Sequence, residues 1–368
     1  MPISLTLYPM KSKTLVFIVA IMLSASFASA QKLKVCVVGL NHDHIYNVLN
    51  AYKNGQVDII GIAEPNHELW TKYGKMFSLP YAVFYDDMKT MLKGKKPDAV
   101  LGYNAVGNHL EIVEVCAPLG IPVMVEKPLA ATLVQANRIL ALANQYHIRV
   151  LTNYETTWYP SGKYIYDEIA ADSIGPIKKM VAHDGHQGPK EIGCSKEFLA
   201  WLTDPVLNGA GALNDFGCYG ADLMTWLMHG QRPIAVTAVM HQYRPNVYPR
   251  VDDDATILVE YPKAMGQIEA SWNWPFGIKD LEVFGEHGYL HSLNGTDIDI
   301  RMRENRRSSV KADALPAPIN DPLAYLAAVL QGKIPGTDDQ ASLKYNMIVM
   351  QILDAAKRSA KEGRKILL

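Results

Sequence analysis

Ile121-Pro122-Val123-Met124-Val125-Glu126-Lys127-Pro128 is the stretch on which the reading of this chain turns. Val123 to Val125, with Ile121 before them, make a short apolar run of the kind buried on both faces in a parallel sheet. Polar and rigid residues follow at once, at the carboxyl end of the strand. Open α/β sheets bind their ligands along that edge, which puts Glu126 and Lys127 where chemistry is expected. Pro128 fixes its own φ and holds Lys127 extended, so the ammonium is aimed. A surface turn after a strand is the plainer alternative for the same residues.

Upstream, Lys34 to Val38 is a second buried strand, and Gly39-Leu40-Asn41-His42-Asp43-His44 opens a helix running through about Tyr52. This is the position of a phosphate-binding turn, where amides at a helix start meet a pyrophosphate. Of Gly-x-Gly-x-x-Gly only Gly39 survives. Asn41 and His44 occupy the other two places and bring side chains where glycine allows close approach. Asn41 tolerates a left-handed backbone and can cap the helix, which keeps the turn feasible. His42 and His44 are candidates for contact with phosphate. With Asp43 they are also a candidate metal set, but a third and fourth ligand are not evident nearby, and the reading assigns no metal. Val57 to Ala63 is the next strand, and Glu64 at its tip stands where an acid grips an adenosine ribose. No Arg or Lys follows within several residues to receive a 2′-phosphate, which favours NAD over NADP. Capping of the helix from about Asn66 to Phe77 is the alternative role for Glu64.

Asp98 to Gly102 with Tyr103-Asn104, a helix from about Asn108 to Leu119, another from about Thr132 to Tyr146 and a strand from His147 to Thr152 continue the alternation. Strand and helix in turn predict an α/β, Rossmann-type, doubly wound parallel sheet over residues 31–152. Asn153-Tyr-Glu-Thr-Thr-Trp158 marks the crossing into a second domain, 153–368. There Asn208-Gly-Ala-Gly-Ala-Leu-Asn-Asp215-Phe-Gly-Cys-Tyr219-Gly-Ala-Asp222 spaces Asp215, Tyr219 and Asp222 four and three apart, one face if the segment is helical. Runs at Ile234–Gln242, Ala255–Tyr261, Gly266–Trp272, Lys279–Phe284, Gly288–Ser292 and Asp297–Met302 predict an α+β domain with a large, open, mainly antiparallel sheet. Trp272 and Trp274 are candidates for a carbohydrate site or a subunit interface. Helices from about Asp321 to Leu330 and Asp338 to Lys361 close the chain. The last has Leu343, Met347, Met350 and Leu353 at helical spacing, a core face that can pack back on the first domain.

Glu126-Lys127-Pro128 at the close of a dinucleotide-binding domain, taken with the 208–222 segment, resembles the Gfo/Idh/MocA oxidoreductases, named for glucose-fructose oxidoreductase and inositol dehydrogenase. The resemblance runs from about Lys32 to the C-terminus. It implies NAD-dependent hydride transfer at a secondary hydroxyl of a sugar or polyol. Glu126, Asn104, His109 and Asn153 would lie beside the cofactor and Trp158 near the sugar, an interdomain core being the other place for that tryptophan. In the family's Gly-Gly-Gly-x-x-x-Asp-x-Gly-x-His-x-x-Asp pattern, Ala210 replaces the middle glycine and Tyr219 stands where many members carry histidine. The glucose-fructose oxidoreductase branch is known to have tyrosine there. Hydride removal from carbon requires a base for the hydroxyl proton. Lys127, desolvated near a cationic ring, is expected to have a lowered pKa, and Tyr219 beside it to deprotonate more easily. Tyr219 is then the acid/base, Lys127 tunes it and holds the substrate hydroxyl, and Asp215 orients both; an exchange of roles between Lys127 and Tyr219 is the alternative. Two other functions stay open: an NAD-dependent glycosidase working through a transient keto-sugar, and a carbohydrate-binding relative without turnover.

Length and composition agree with two globular domains: 368 residues, 49% hydrophobic. Met1 to Ala30 is different. Lys11 and Lys13 precede an apolar run, Leu15 to Leu23, and small residues at Ala28 and Ala30 fit a signal-peptidase site before Gln31. A cleaved signal predicts a periplasmic or secreted protein with no membrane span after its removal. Its loss takes two of 36 basic residues and none of 37 acidic ones, moving the net charge from −1 to −3. That balance argues against nucleic acid and anionic membranes as partners. A small carbohydrate substrate and a homo-oligomer are expected. The four cysteines lack tight spacing and read as buried thiols.

Overall fold

The computed structural model describes residues 32–368. The expected signal segment lies outside the described residues. Fifteen strands, labelled in chain order, fall into two sheets. The first comprises β1 (Leu33–Val38), β2 (Val57–Ala63), β3 (Phe84–Tyr85), β4 (Ala99–Gly102), β5 (Val123–Glu126) and β6 (Val150–Asn153). They run parallel in the order β3-β2-β1-β4-β5-β6. The central strands are buried throughout, as their unbroken apolar runs require. The order reverses between β1 and β4, so their carboxyl ends flank the crevice. Gly39 sits there with φ +85°, and a Cβ on it would lie 2.6 Å from the Cβ of Asn104. Only glycine allows both the turn and that approach.

The helices around this sheet are α1 (Ile45–Lys53), α2 (His67–Phe77), α3 (Met88–Gly94), α4 (His109–Cys116) and α5 (Leu133–Tyr146). Thr132 starts α5 with a reciprocal capping box to Gln135.

The second sheet has nine strands in the order β14-β13-β12-β11-β7-β10-β9-β8-β15. They are β7 (Ile177–Gly185), β8 (Ala235–His241), β9 (Asp254–Glu260), β10 (Met265–Ser271), β11 (Ile278–Gly285), β12 (Gly288–Ser292), β13 (Asp297–Met302), β14 (Ser308–Lys311) and β15 (Ile366–Leu367). All pairs are antiparallel except β7 with β10. The central strand, β7, has no counterpart in the sequence reading. Its segment Ile-Lys-Lys-Met-Val-Ala-His-Asp-Gly carries too many charges to read as buried, although Met180 and Ala182 alternate into the core.

Six helices belong to this half: α6 (Pro160–Ala170), α7 (Lys196–Leu202), α8 (Ala212–Asp215), α9 (Gly217–Leu227), α10 (Pro322–Leu330) and α11 (Leu343–Glu362). The helical ladder is interrupted at Phe216, whose φ of −107° distorts an otherwise right-handed backbone, and this corrects the expectation of one helical face for Asp215, Tyr219 and Asp222. Asp215 ends α8 while the other two lie on α9. Asp222 accepts from Gln340 at 3.0 Å, deep in the protein. The last helix packs on the second sheet and also on β6 and α5 of the first domain, where Tyr154 donates to Asn346 at 2.9 Å. Among the described residues no helix is long and apolar enough to cross a membrane.

Candidate active site

The carboxyl end of β5 delivers Lys127 into a cavity of about 820 Å³, and the α8–α9 junction delivers Asp215, Phe216 and Tyr219 into the same space. The ammonium of Lys127 donates to Oδ1 of Asp215 at 2.5 Å and to its carbonyl at 2.9 Å. It also lies 4.8 Å from the centroid of the Tyr219 ring. The other oxygen of Asp215 accepts from Nε1 of Trp272 at 3.0 Å. Trp272 is fully buried, so it lines neither a sugar site nor a subunit face; it fixes the carboxylate. Asp215 makes no hydrogen bond to Tyr219 among the described residues, and it orients the lysine alone.

Electrostatics revise the expected protonation states. Burial pulls the Lys127 ammonium down most strongly, but Asp215, Cys218 and Glu126 together outweigh it, and the net shift is upward. Burial would raise Asp215, yet Lys127 holds it below the usual carboxylate range. The Tyr219 phenol is pushed well above its ordinary value by burial, with Glu155 and other acidic neighbours adding. Both expected shifts are thus reversed: the lysine stays cationic and the tyrosine neutral. The reason for the lysine is the sum of its anionic neighbours, Asp215 first among them, which together exceed the desolvation that disfavours its charge; for the tyrosine it is burial.

Four residues named from the sequence form one chain of hydrogen bonds under this site. His44 Nδ1 meets Glu126 Oε2 at 2.8 Å, Asn153 donates to Glu126 Oε1 at 2.8 Å, and Trp158 Nε1 donates to Asn153 at 2.9 Å. Trp158 lines a neighbouring cavity of about 1250 Å³, with its ring against Tyr325, and not the Lys127 cavity. The expected sugar contact through Trp158 is therefore replaced by an anchoring role.

His42, His44 and Glu126 place potential ligand atoms within 4.8 Å of one another. However, Nδ1 of His42 accepts from the His44 amide at 3.1 Å, which leaves the proton of a neutral ring on Nε2 as a donor. Burial keeps that ring neutral, and His44 Nδ1 is already engaged by Glu126. The cluster is built for hydrogen bonding.

The residues expected at the cofactor lie along the crevice. Glu64 accepts the Leu40 amide at 2.7 Å and the Asn66 amide at 2.9 Å, fastening the phosphate turn to the tip of β2. The amides of His42 and His44 are also engaged, by the Tyr103 carbonyl and the His42 ring, while those of Asn41 and Asp43 have no such partner among the described residues. Three buried acceptors here lack partners: Asn41 Oδ1, Asn104 Oδ1 and His109 Nε2. His109 donates from Nδ1 to the Leu129 carbonyl at 3.2 Å, and burial drops its pKa to about 4, so Nε2 is a free acceptor. Unsatisfied buried acceptors of this kind fit the hydroxyl and amide donors of a dinucleotide. The His42 side chain turns elsewhere. It packs between Phe198 and Trp201 of α7, ring centroids 4.7 and 5.4 Å away, which corrects its expected contact with phosphate. Helix α7 roofs the turn: Trp201 Nε1 donates to the Asn41 carbonyl at 3.0 Å, and Ser195 donates to Asp43 at 2.9 Å.

Sequence reasoning missed Lys279, Glu155, His186 and Asp184. Lys279 reaches from β11 to lie 4.5 Å from the Tyr219 centroid, on an ion pair with Glu155. Burial would raise Glu155, but Lys279 brings it down to about 2. His186 lines the cavity and burial lowers its pKa; its Nδ1 accepts from Gly188 at 2.9 Å. Lys279 opens a strand with no motif around it, so the sequence holds no signal for it.

A parallel dinucleotide-type sheet whose carboxyl edge presents a lysine to a second, sheet-built domain is the architecture of an NAD-binding oxidoreductase. Residues 33–154 match the family model described as an oxidoreductase family with an NAD-binding Rossmann fold, and residues 163–291 match the C-terminal domain model of the same family. The chain belongs to the GFO/IDH/MocA family. Among similar proteins, the trans-1,2-dihydrobenzene-1,2-diol dehydrogenase of Xenopus laevis is 23% identical over 63% of this chain and 66% of its own length. The D-apiose dehydrogenase of Paraburkholderia graminis is 20% identical over 94% of this chain and 92% of its own. The aldose-aldose oxidoreductase of Caulobacter crescentus, solved with glycerol, superposes with a TM-score of 0.77 at 19% identity, covering 92% of this chain and 100% of that one. An inositol dehydrogenase homolog of Azotobacter vinelandii, solved with NADH and myo-inositol, gives 0.78 at 17% identity, covering 92% and 98%. At these identities the superpositions speak for the fold.

Proposed function

We propose that this protein transfers a hydride between NAD and a secondary hydroxyl of a sugar or polyol in the cavity walled by Lys127 and Tyr219. The observation that carries the reading is the meeting of those two side chains, one from the end of β5 and one from helix α9 of the second domain, across one cavity. NAD, when bound, supplies the hydride acceptor, and Gly39, Asn41, Glu64, Asn104 and His109 are the residues that would hold it. An ammonium has three donors, and Lys127 spends two on Asp215. The third is left for the substrate oxygen. Tyr219, neutral and fixed between two ammonium groups, adds a second donor. The pair holds the oxygen of the reacting carbon and gives a proton to it in the reducing direction; in the oxidising direction it must give up a proton first.

Replacing Lys127 with Met keeps the volume and removes the donor. Turnover of the preferred sugar should fall by about 10²-fold or more with cofactor binding retained, and a loss smaller than about tenfold would refute the assignment. NADH should appear in proportion to oxidised product, whereas cleavage of a nitrophenyl glycoside with no net NADH would mark the hydrolytic cycle instead. We further propose that residues 1–30 are removed on export. N-terminal sequencing of the protein from its native cells should start at Gln31, and a start at Met1 would exclude it.

A further inference from the structure

The cavity buries its reacting polar groups and opens to solvent beside apolar side chains. Lys127 and Tyr219 are only 6% and 1% exposed, whereas three large apolar side chains lining the same space are open to solvent: Phe276 at 59%, Ile192 at 49% and Leu293 at 40%. Exposed apolar residues scattered singly are ordinary, but three around one catalytic opening mark a binding surface. The volume, about 820 Å³, lies toward the top of the roughly 300–1,000 Å³ range that encloses drug-sized ligands, and a lone sugar ring is far smaller.

The charges narrow the ligand further. Both lysines lining the cavity are already neutralised, Lys127 by Asp215 and Lys279 by Glu155. Asp43 and Asp280 also line it, Asp280 meeting His183 at 2.6 Å and Asp43 accepting the Ser195 amide. Among the described residues no unpaired lysine or arginine faces the space, so a carboxylate or phosphate on the substrate would find no free cation to neutralise it and would meet Asp43 and Asp280.

We infer that the substrate is a neutral sugar bearing an apolar, ring-sized substituent, an aryl or alkyl glycoside, with the hydroxylated ring at Lys127 and the substituent against Phe276 and Ile192. This rests on the reading of the site as a sugar dehydrogenase. It is tested by calorimetric titration of the NAD-loaded protein with phenyl glycosides of the common hexoses, the matching free hexoses and the matching uronic acids. The best phenyl glycoside should bind at least about tenfold more tightly than its free hexose, with the uronic acid weakest. In Phe276→Ala, and separately in Ile192→Ala, the ratio of phenyl glycoside to free hexose affinity should fall toward one. These two positions are exposed, and the free hexose serves as the internal reference for folding. A free hexose that binds as well as its phenyl glycoside, a ratio unmoved by both substitutions, or a preferred uronic acid would each overturn the inference while leaving the sugar reading intact. No binding by any member of the panel would overturn both.

Discussion

Asp184, next to last in β7, is buried among Lys279, Asp280 and Tyr159, with neither carboxylate oxygen hydrogen-bonded. Burial pushes its carboxyl from the ordinary 3.8 up to about 8, against the pull of the Lys279 ammonium. Between those values the folded protein keeps a proton that the unfolded chain has lost. The stability this group allows is therefore fully present below the lower value, and it is lost progressively as pH rises through the upper one. At about 1.4 kcal/mol per pK unit, a shift of about four units amounts to about 6 kcal/mol lost by well above pH 8, of which about 4 kcal/mol is lost between pH 5 and pH 8. Asparagine keeps the shape and does not titrate. Asp184→Asn should gain on the parent by about 4 kcal/mol more at pH 8 than at pH 5, measured by urea unfolding with tryptophan fluorescence. Lys279, Asp280, His183 and Lys127, the charges that face Asp184, are present in both proteins, so the difference isolates this position. Equal gains at the two pH values would refute the argument, because the carboxyl would then titrate alike in both states.

Tyr219→Phe keeps the ring between Lys127 and Lys279 and removes only the hydroxyl. Turnover should fall by about 10²-fold with the melting temperature little changed, and activity within about tenfold of the parent would remove Tyr219 from proton transfer. Because Lys127 and Tyr219 are both shifted upward, sugar oxidation should accelerate with pH from neutrality into the alkaline range, and ketone reduction should slow. A plateau in the oxidation rate reached below neutrality would contradict those protonation states. Gly211→Ala drives a Cβ into the carbonyl of Asp252, whose carboxylate accepts the Gly211 and Leu213 amides at 2.6 and 2.7 Å. Loss of about 3 kcal/mol or more in chemical unfolding is expected, and a shift below about 1 kcal/mol would show that the segment can move aside.

The first domain was legible because its signals are local. Apolar runs ending in Gly39, Glu64, Asn104 and Glu126-Lys127 announce buried parallel strands and the residues at their tips, and the sheet follows from their alternation with helices. The second domain was legible in its antiparallel hairpins but not at its centre. In β7 the burial of Met180 and Ala182 depends on strands far away in sequence, and the lysines between them mask the period. The site was half visible. Lys127, Asp215 and Tyr219 sit in recognisable stretches, whereas Lys279 and Asp184 owe their place to the register of β7 against β11, which pairs Asp184 with Lys279. Protonation states were misread for the same reason: the sequence shows a lysine near a cationic cofactor, but the 2.5 Å contact with Asp215 that decides its charge exists only in three dimensions.

One carboxylate, that of Asp215, grips an amine from the first sheet with one oxygen and an indole from the second with the other. Drawing the lobes apart would break this desolvated contact and its indole anchor together, so the same acid that sets the charge of Lys127 also ties the two domains at the site. Any attempt to retune the chemistry by altering this acid also loosens the joint on which the enzyme is assembled.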